Sequence, residues 1–237
     1  MDIYRPQPQA GALGVRVDLR AVMKEVYLWM TLGLVTSAVV ALVLAVTGLT
    51  AAIFPVLIIA PIAQIGLVWY LSARIQRMEA QRATMLFLVF AAVMGITLST
   101  IFYWASLTDI YLALFATGAM FAAMSIVGYT TQIDLSRLGS LLFMALIGLI
   151  VASVVNLFVA SNALYWLVSY AGVVIFVGLT AYDTQWIKRS AQQMELQGVN
   201  SGAAVVRQIA IIGALKLYLD FINLFLFILS IIGNRRR

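Results

Sequence analysis

The sequence has no cysteine and no histidine, and only 10% of its 237 residues carry charge, against roughly 25% in a soluble domain. Without cysteine there is no disulfide and no thiolate metal site, and without histidine no imidazole ligand, base or pH switch. Proton or cation chemistry therefore falls to carboxylates. What is abundant is apolar sequence: 64% of residues are hydrophobic and the mean hydropathy is +1.03. A water-soluble fold is excluded on that balance. Six to eight spans of about 20 residues use nearly the whole length, leaving no room for a separate soluble domain.

Apolar runs cover Val26 to Thr47, Ala51 to Ala73, Ala83 to Ser106, Ile110 to Gln132, Leu138 to Ala160 and Ala163 to Ile187. A seventh runs from about Ile209 to Gly233 and carries Lys216 and Asp220. Each is of bilayer-spanning length. The expected architecture is all-α and integral to the membrane: a cytoplasmic tail over residues 1–25, a seven-helix domain over 26–234 and a basic tail over 235–237. The tail around Pro6 and Pro8 lacks the apolar core and cleavage site of a signal peptide.

The formal charge of +6 is topology signal, not a nucleic-acid surface. Arg16, Arg20 and Lys24 precede the first run, Arg74, Arg77 and Arg82 follow the second, Arg137 follows the fourth, and Lys188, Arg189 and Arg207 follow the sixth. The alternate loops, around Leu49, Leu107 and Asn162, have no Lys or Arg. By the positive-inside rule the amino terminus is cytoplasmic. A full seventh span then sends Arg235 to Arg237 outside, against the rule; Leu217 to Asn234, roughly 27 Å of helix, is nevertheless long enough to cross.

Tyr129-Thr130-Thr131-Gln132 and Tyr182-Asp183-Thr184-Gln185 end the fourth and sixth runs, and Gly95 and Gly148 stand at one common offset. Four matched positions leave an internal duplication and coincidence both open. Gly118 with Ala122 and Gly148 with Ala152 predict close helix approach. Gln64, Ser153 and Asn156 read as interhelical hydrogen-bonding groups.

Asp183 and Asp220 lie inside the last two runs, where an ionisable group costs roughly 2.5–3.5 kcal/mol and is a functional candidate by default. Asp183 lies five residues before Lys188, so it is about 7 Å deep. If the last helix enters the hydrocarbon at Lys216, with that lysine snorkelling, Asp220 is about 6 Å deep from the same face. A start at Ile209 puts it roughly 16 Å deep and removes the match. Two carboxylates at one level cannot both ionise cheaply and titrate as a unit, which makes them a proton-sensitive latch. Their oxygens also suit Ca²⁺. The plainer reading pairs Asp220 with Lys216 on its own helix face and Asp183 with Lys188 or an arginine of the second helix.

The segments Phe176-Val177-Gly178-Leu179-Thr180-Ala181-Tyr182-Asp183-Thr184-Gln185 and Gly213-Ala214-Leu215-Lys216-Leu217-Tyr218-Leu219-Asp220-Phe221-Ile222-Asn223-Leu224-Phe225 resemble the signatures of the Bax inhibitor-1 family, in its bacterial inner-membrane branch. The resemblance runs from about Val26 to the carboxyl terminus and includes Leu142 to Gly148. It implies a seven-helix bundle with the last helix central and the carboxyl terminus outside. It also implies a pH-sensitive Ca²⁺ leak latched by Asp183 and Asp220, with an arginine of the second helix as alternative partner of the first aspartate. Counting back from Gly95 favours Arg77 for that partner; proximity to Trp69-Tyr70 favours Arg74. Some members carry an acid in the second helix, where this chain offers only Gln64.

Three functions follow as expectations. The first is a proton-gated Ca²⁺ leak in the inner membrane, with no tightly bound cofactor. The second is a regulator of stress, cell-death or quality-control pathways that binds a membrane protease or another integral membrane protein. The third, an intramembrane aspartyl protease, is disfavoured: Leu217-Tyr218-Leu219-Asp220 lacks the Gly-x-Gly-Asp approach, and no Pro-Ala-Leu segment follows. The chain is therefore not expected to be an enzyme.

Overall fold

The computed structural model describes residues 19–74, 78–196 and 203–234. These form nine helices: α1 Leu19–Val46, α2 Leu49–Ala52, α3 Phe54–Arg74, α4 Ala80–Leu98, α5 Ile101–Trp104, α6 Leu107–Thr130, α7 Ser136–Val159, α8 Asn162–Leu196 and α9 Ala203–Asn234. No strand occurs among the described residues. Six helical segments are long and apolar enough to cross a membrane: Leu19–Val46, Ala80–Trp104, Leu107–Thr130, Ser136–Val159, Asn162–Met194 and Val206–Gly233. The second apolar run is the shorter α3, with Pro61 inside it; its own apolar stretch is Pro55–Leu71.

Hydrocarbon offers no partner for a backbone or hydroxyl group, so both must be satisfied internally. The spanning helices meet this by back-bonding: Thr31 Oγ1 donates to the Tyr27 carbonyl, Thr117 to Ala113 and Thr180 to Phe176, at 2.7–2.8 Å. Helix ends are capped by local chemistry. Ser106 Oγ accepts from the Asp109 amide at 3.1 Å and donates to its carboxylate at 2.6 Å, opening α6. Ala160, at φ 50°, closes α7 in the left-handed region.

Helix α9 is the hub. It packs on α1, α4, α6 and α8, and half of its apolar window is buried, against 6% of that of α7, which lies at the periphery. At the centre Tyr218 is fully buried between the rings of Phe87 and Phe90, edge-on at 5.7 and 5.9 Å. Its hydroxyl is 2.6 Å from Ser37 Oγ, which also reaches the Ala91 carbonyl at 2.7 Å. One polar knot thereby ties α9 to α1 and α4.

Several boundaries differ from those read along the sequence. Residues 19–25 are already helical, as the start of α1, and α8 and α9 run past their apolar windows to Leu196 and back to Ala203. A helix need not stop where hydrocarbon stops. Close approach occurs at other glycines than those expected. A side chain at Gly118 or Gly148 would meet open space, whereas one at Gly95 would lie 2.6 Å from the Ser37 carbonyl oxygen, and one at Gly128 would collide with the Ala181 carbonyl of α8. Gly95 and Gly148, the suggested repeat partners, thus sit in unlike surroundings. Gln64 does bond between helices, donating to Thr97 Oγ1 at 3.0 Å. Ser153 and Asn156 instead bond locally, to the Leu149 carbonyl and the Ser161 amide.

Candidate functional site

Helices α8 and α9 pack along much of their length because small residues allow it: Gly172 lies under the Phe227 ring and Gly213 under Ile187. That contact brings Asp183 and Asp220 into the wall of one cavity. Both are buried, at 6% and 4% exposure. Lys216, one turn before Asp220 on α9, extends across to α8 and places Nζ 2.8 Å from Asp183 Oδ1. Its ammonium also stands 4.9 Å from the centre of the Trp186 ring, a cation–π contact that holds the lysine against the helix face. Asp220 Oδ2 is buried without a hydrogen-bond partner.

The three groups line a cavity of about 1030 Å³ between α7, α8, α9 and the end of α3, with Tyr182, Trp186 and Asn223 also in its wall. A buried polar atom without a partner is costly, and Asp220 Oδ2 is such an atom beside a space large enough for water and small cations. Among the described residues no group of three or more acidic ligands clusters. The pair supplies two carboxylates, against the six to eight oxygens that Ca²⁺ takes.

Of the other expected partners, Lys188 is engaged elsewhere. Lys188, rather than reaching Asp183, donates to the Tyr129 carbonyl at 2.7 Å and lies 5.4 Å from the Tyr129 ring. Arg74 ends α3 and is exposed. Arg77 and Arg235 to Arg237 lie outside the described residues. Sequence reasoning passed over Trp186 and Asn223, although both fall in or beside the two quoted segments, four residues or fewer from an aspartate.

It also passed over a clasp beyond the pair. Gln185, two residues after Asp183, accepts from the Leu135 amide at 2.9 Å and donates to the Ile133 carbonyl at 2.8 Å, pinning the α6–α7 loop to α8. Arg189 adds an ion pair to Asp134 at 2.5 Å. Asp134 is drawn down to about 2, first by the Ser136 backbone amide, then by the Ser136 and Arg189 side chains.

Comparison with known sequences places this geometry. The profile described as inhibitor of apoptosis-promoting Bax1 matches residues 19–237. The chain belongs to the Bax inhibitor-1 family. Among its relatives in the family, inner membrane protein YbhL of Escherichia coli K12 is 46% identical over 236 residues, 97% of this chain and 95% of that one. A protein of Deinococcus radiodurans is 40% identical over 220 residues, 92% of each chain. Protein RP147 of Rickettsia prowazekii is 38% identical over 224 residues, 92% of this chain and 91% of its own. This Bax inhibitor-1 family chain is accordingly a multi-pass membrane protein, and YbhL, by its name, resides in the inner membrane.

Proposed function

We propose that the protein is a pH-sensitive leak pathway for Ca²⁺ in the inner membrane, closed by a latch of Asp183, Asp220 and Lys216. The observation that carries this reading is the presence of two buried carboxyls in the wall of one cavity, with Lys216 bonded to the first. Charge balance supplies the gate. Lys216 and one carboxylate cancel, so the site is neutral when the second carboxyl keeps its proton and shares it across the α8–α9 contact. Loss of that proton leaves a net negative charge in a low dielectric. The site then relaxes by parting the helices, by drawing Lys216 toward Asp220, or by admitting a cation, for which Ca²⁺ with its preference for oxygen is well suited.

The reading includes α3 as a seventh span, since 21 residues make about 31 Å of helix, close to the hydrocarbon thickness of roughly 30 Å. The amino terminus is then cytoplasmic and the carboxyl terminus periplasmic, which reporter tags on each end would read directly. No catalysis is assigned: an ammonium fixed on Asp183 neutralises the carboxylate that an aspartyl protease would need to activate water. Ca²⁺ flux into proteoliposomes, followed from pH 5 to pH 8, tests the proposal. Asp220→Asn should flatten the pH profile and hold flux low; unchanged profiles in both Asp183→Asn and Asp220→Asn would remove its basis.

One observation favours a second reading. Because Lys216 already neutralises Asp183, the cluster also serves as a structural tie, leaving a regulator that acts by binding another integral membrane protein, a membrane protease for instance. Crosslinking in native membranes that captures a stable partner, with flux absent, would select it.

A further inference from the structure

A second cavity, of about 680 Å³, lies between α1 and α6; apart from Phe221, its lining comes from helices other than those of the aspartates, and it is independent of any role given to them. Both helices pack on α9, and Phe221 of α9 forms the floor, edge-on to Phe121 of α6 with ring centres 5.4 Å apart. The walls are mostly apolar, and Thr31 and Thr130 in them bond back to their own helices; two polar groups remain. Arg20, in the first turn of α1, stands at one end; Ser125 of α6 lies in the wall, buried, its hydroxyl without a hydrogen-bond partner.

The dimensions of this groove are those of one leaflet. From Arg20 to Leu34 along α1 is about 21 Å. Half of a bilayer is about 15 Å of hydrocarbon plus roughly 5–8 Å of headgroup. The groove therefore starts at headgroup level, where α1 begins and α6 ends, and stops near the midplane at Leu34 and Phe121. A protein segment filling it would have to be apolar and of one leaflet's length; a phospholipid is both, and is the solvent on that side. The polar features fall where such a molecule has polarity. A guanidinium offers five donors and so retains some for a phosphate even while in another contact. The Ser125 hydroxyl, about 7.5 Å further in along α6 than Thr130, lies on the inner side of the phosphate, where an acyl ester carbonyl offers an acceptor.

We propose that the groove between α1 and α6 is a binding site for one anionic phospholipid, with its phosphate on Arg20, an ester carbonyl on Ser125 and an acyl chain along Tyr27, Met30 and Ile126. Such basic-headed slots between spanning helices suit anionic headgroups in general. Here the slot is bounded by α9, so an occupied groove braces the hub helix from the side opposite the cavity that holds the aspartates.

The probes are phosphatidylglycerol and phosphatidylcholine of matched chains, and the readout is native mass spectrometry of the full-length protein released from nanodiscs of an equal mixture. One phosphatidylglycerol should stay bound in preference to phosphatidylcholine. Arg20→Gln should reduce that preference about fivefold, the equivalent of one surface cation at roughly 1 kcal/mol, without abolishing acyl binding. Ala122→Trp, which fills the groove from an exposed position, should remove retention of both lipids. A phosphatidylglycerol with a photoreactive acyl chain should label Tyr27 and Ile126 over the equally apolar, exposed face of α7 at Met144 and Val151. Equal retention of the two lipids by the wild type, a preference unaltered in Arg20→Gln, or label spread evenly onto α7 would each overturn the proposal.

Discussion

Lys216 bonds to the aspartate of the neighbouring helix, Asp183, at 2.8 Å, rather than closing on Asp220 one turn along its own. A pair that sequence spacing assigns within α9 is in fact a strut between α8 and α9. The lysine thereby couples helix packing to the charge state of both carboxyls, since any change at Asp220 is felt by the same ammonium.

Replacing Lys216 by methionine keeps the stem and removes the charge. Asp183 is then buried without its counter-ion, and stability should fall by about 1–3 kcal/mol, less than for a fully buried pair because the lysine side chain is 36% exposed. Thermal unfolding in detergent measures this. Ca²⁺ flux should also rise, as a competing internal cation is removed; lower flux at every pH would contradict the latch.

Tyr218→Phe should cost about 1 kcal/mol, the net value of one buried hydrogen bond, since Ser37 keeps its bond to the Ala91 carbonyl and the ring contacts with Phe87 and Phe90 persist. Tyr218→Ala should cost about 3–5 kcal/mol through the cavity it leaves. Similar melting temperatures for the two variants would show that Tyr218 packing does not hold α9 in place.

Gly128→Ala should destabilise the α6–α8 crossing by about 1–3 kcal/mol or prevent its assembly, because the new methyl meets the Ala181 carbonyl. Gly118→Ala, on the same helix with open space around it, should be neutral or slightly stabilising. Expression and melting temperature in one detergent compare them directly.

The Asp134 clasp has a defined pH window. Its carboxyl titrates in the folded protein at about 2, below its ordinary value of 3.8. The contribution is therefore complete above the ordinary value and is lost as pH falls through about 2. The Asp134 carboxyl therefore keeps its charge throughout pH 5 to 8. Asp134→Asn should leave the shape of a flux profile over that range unaltered, and a shifted profile would move the pH sensor from the aspartate pair to the loop.

The apolar runs were legible because hydrocarbon demands them: a spanning segment must be long, apolar and internally hydrogen-bonded. Their ends were not, since α8 and α9 continue into water where hydropathy is silent, and α3 is the least apolar-length of the set. The glycines were misassigned for a related reason. Spacing such as Gly118 with Ala122 marks where approach is allowed, whereas Gly95 and Gly128 are pressed by backbone from helices distant in sequence. Trp186 and Asn223 escaped notice because an aromatic or amide within an apolar helix has many bland explanations until its neighbours are seen.

By itself the sequence determined the solvent, the helical class, the family and the two carboxyls as costly groups needing a reason, all consequences of composition and local motif. The tertiary structure decided that Asp183 and Asp220 line one cavity and that Lys216 belongs to the first of them. Depth along two helices can be estimated at 1.5 Å per residue, but the rotation of each helix about its axis is set by packing, and packing alone turns both aspartates to one cavity.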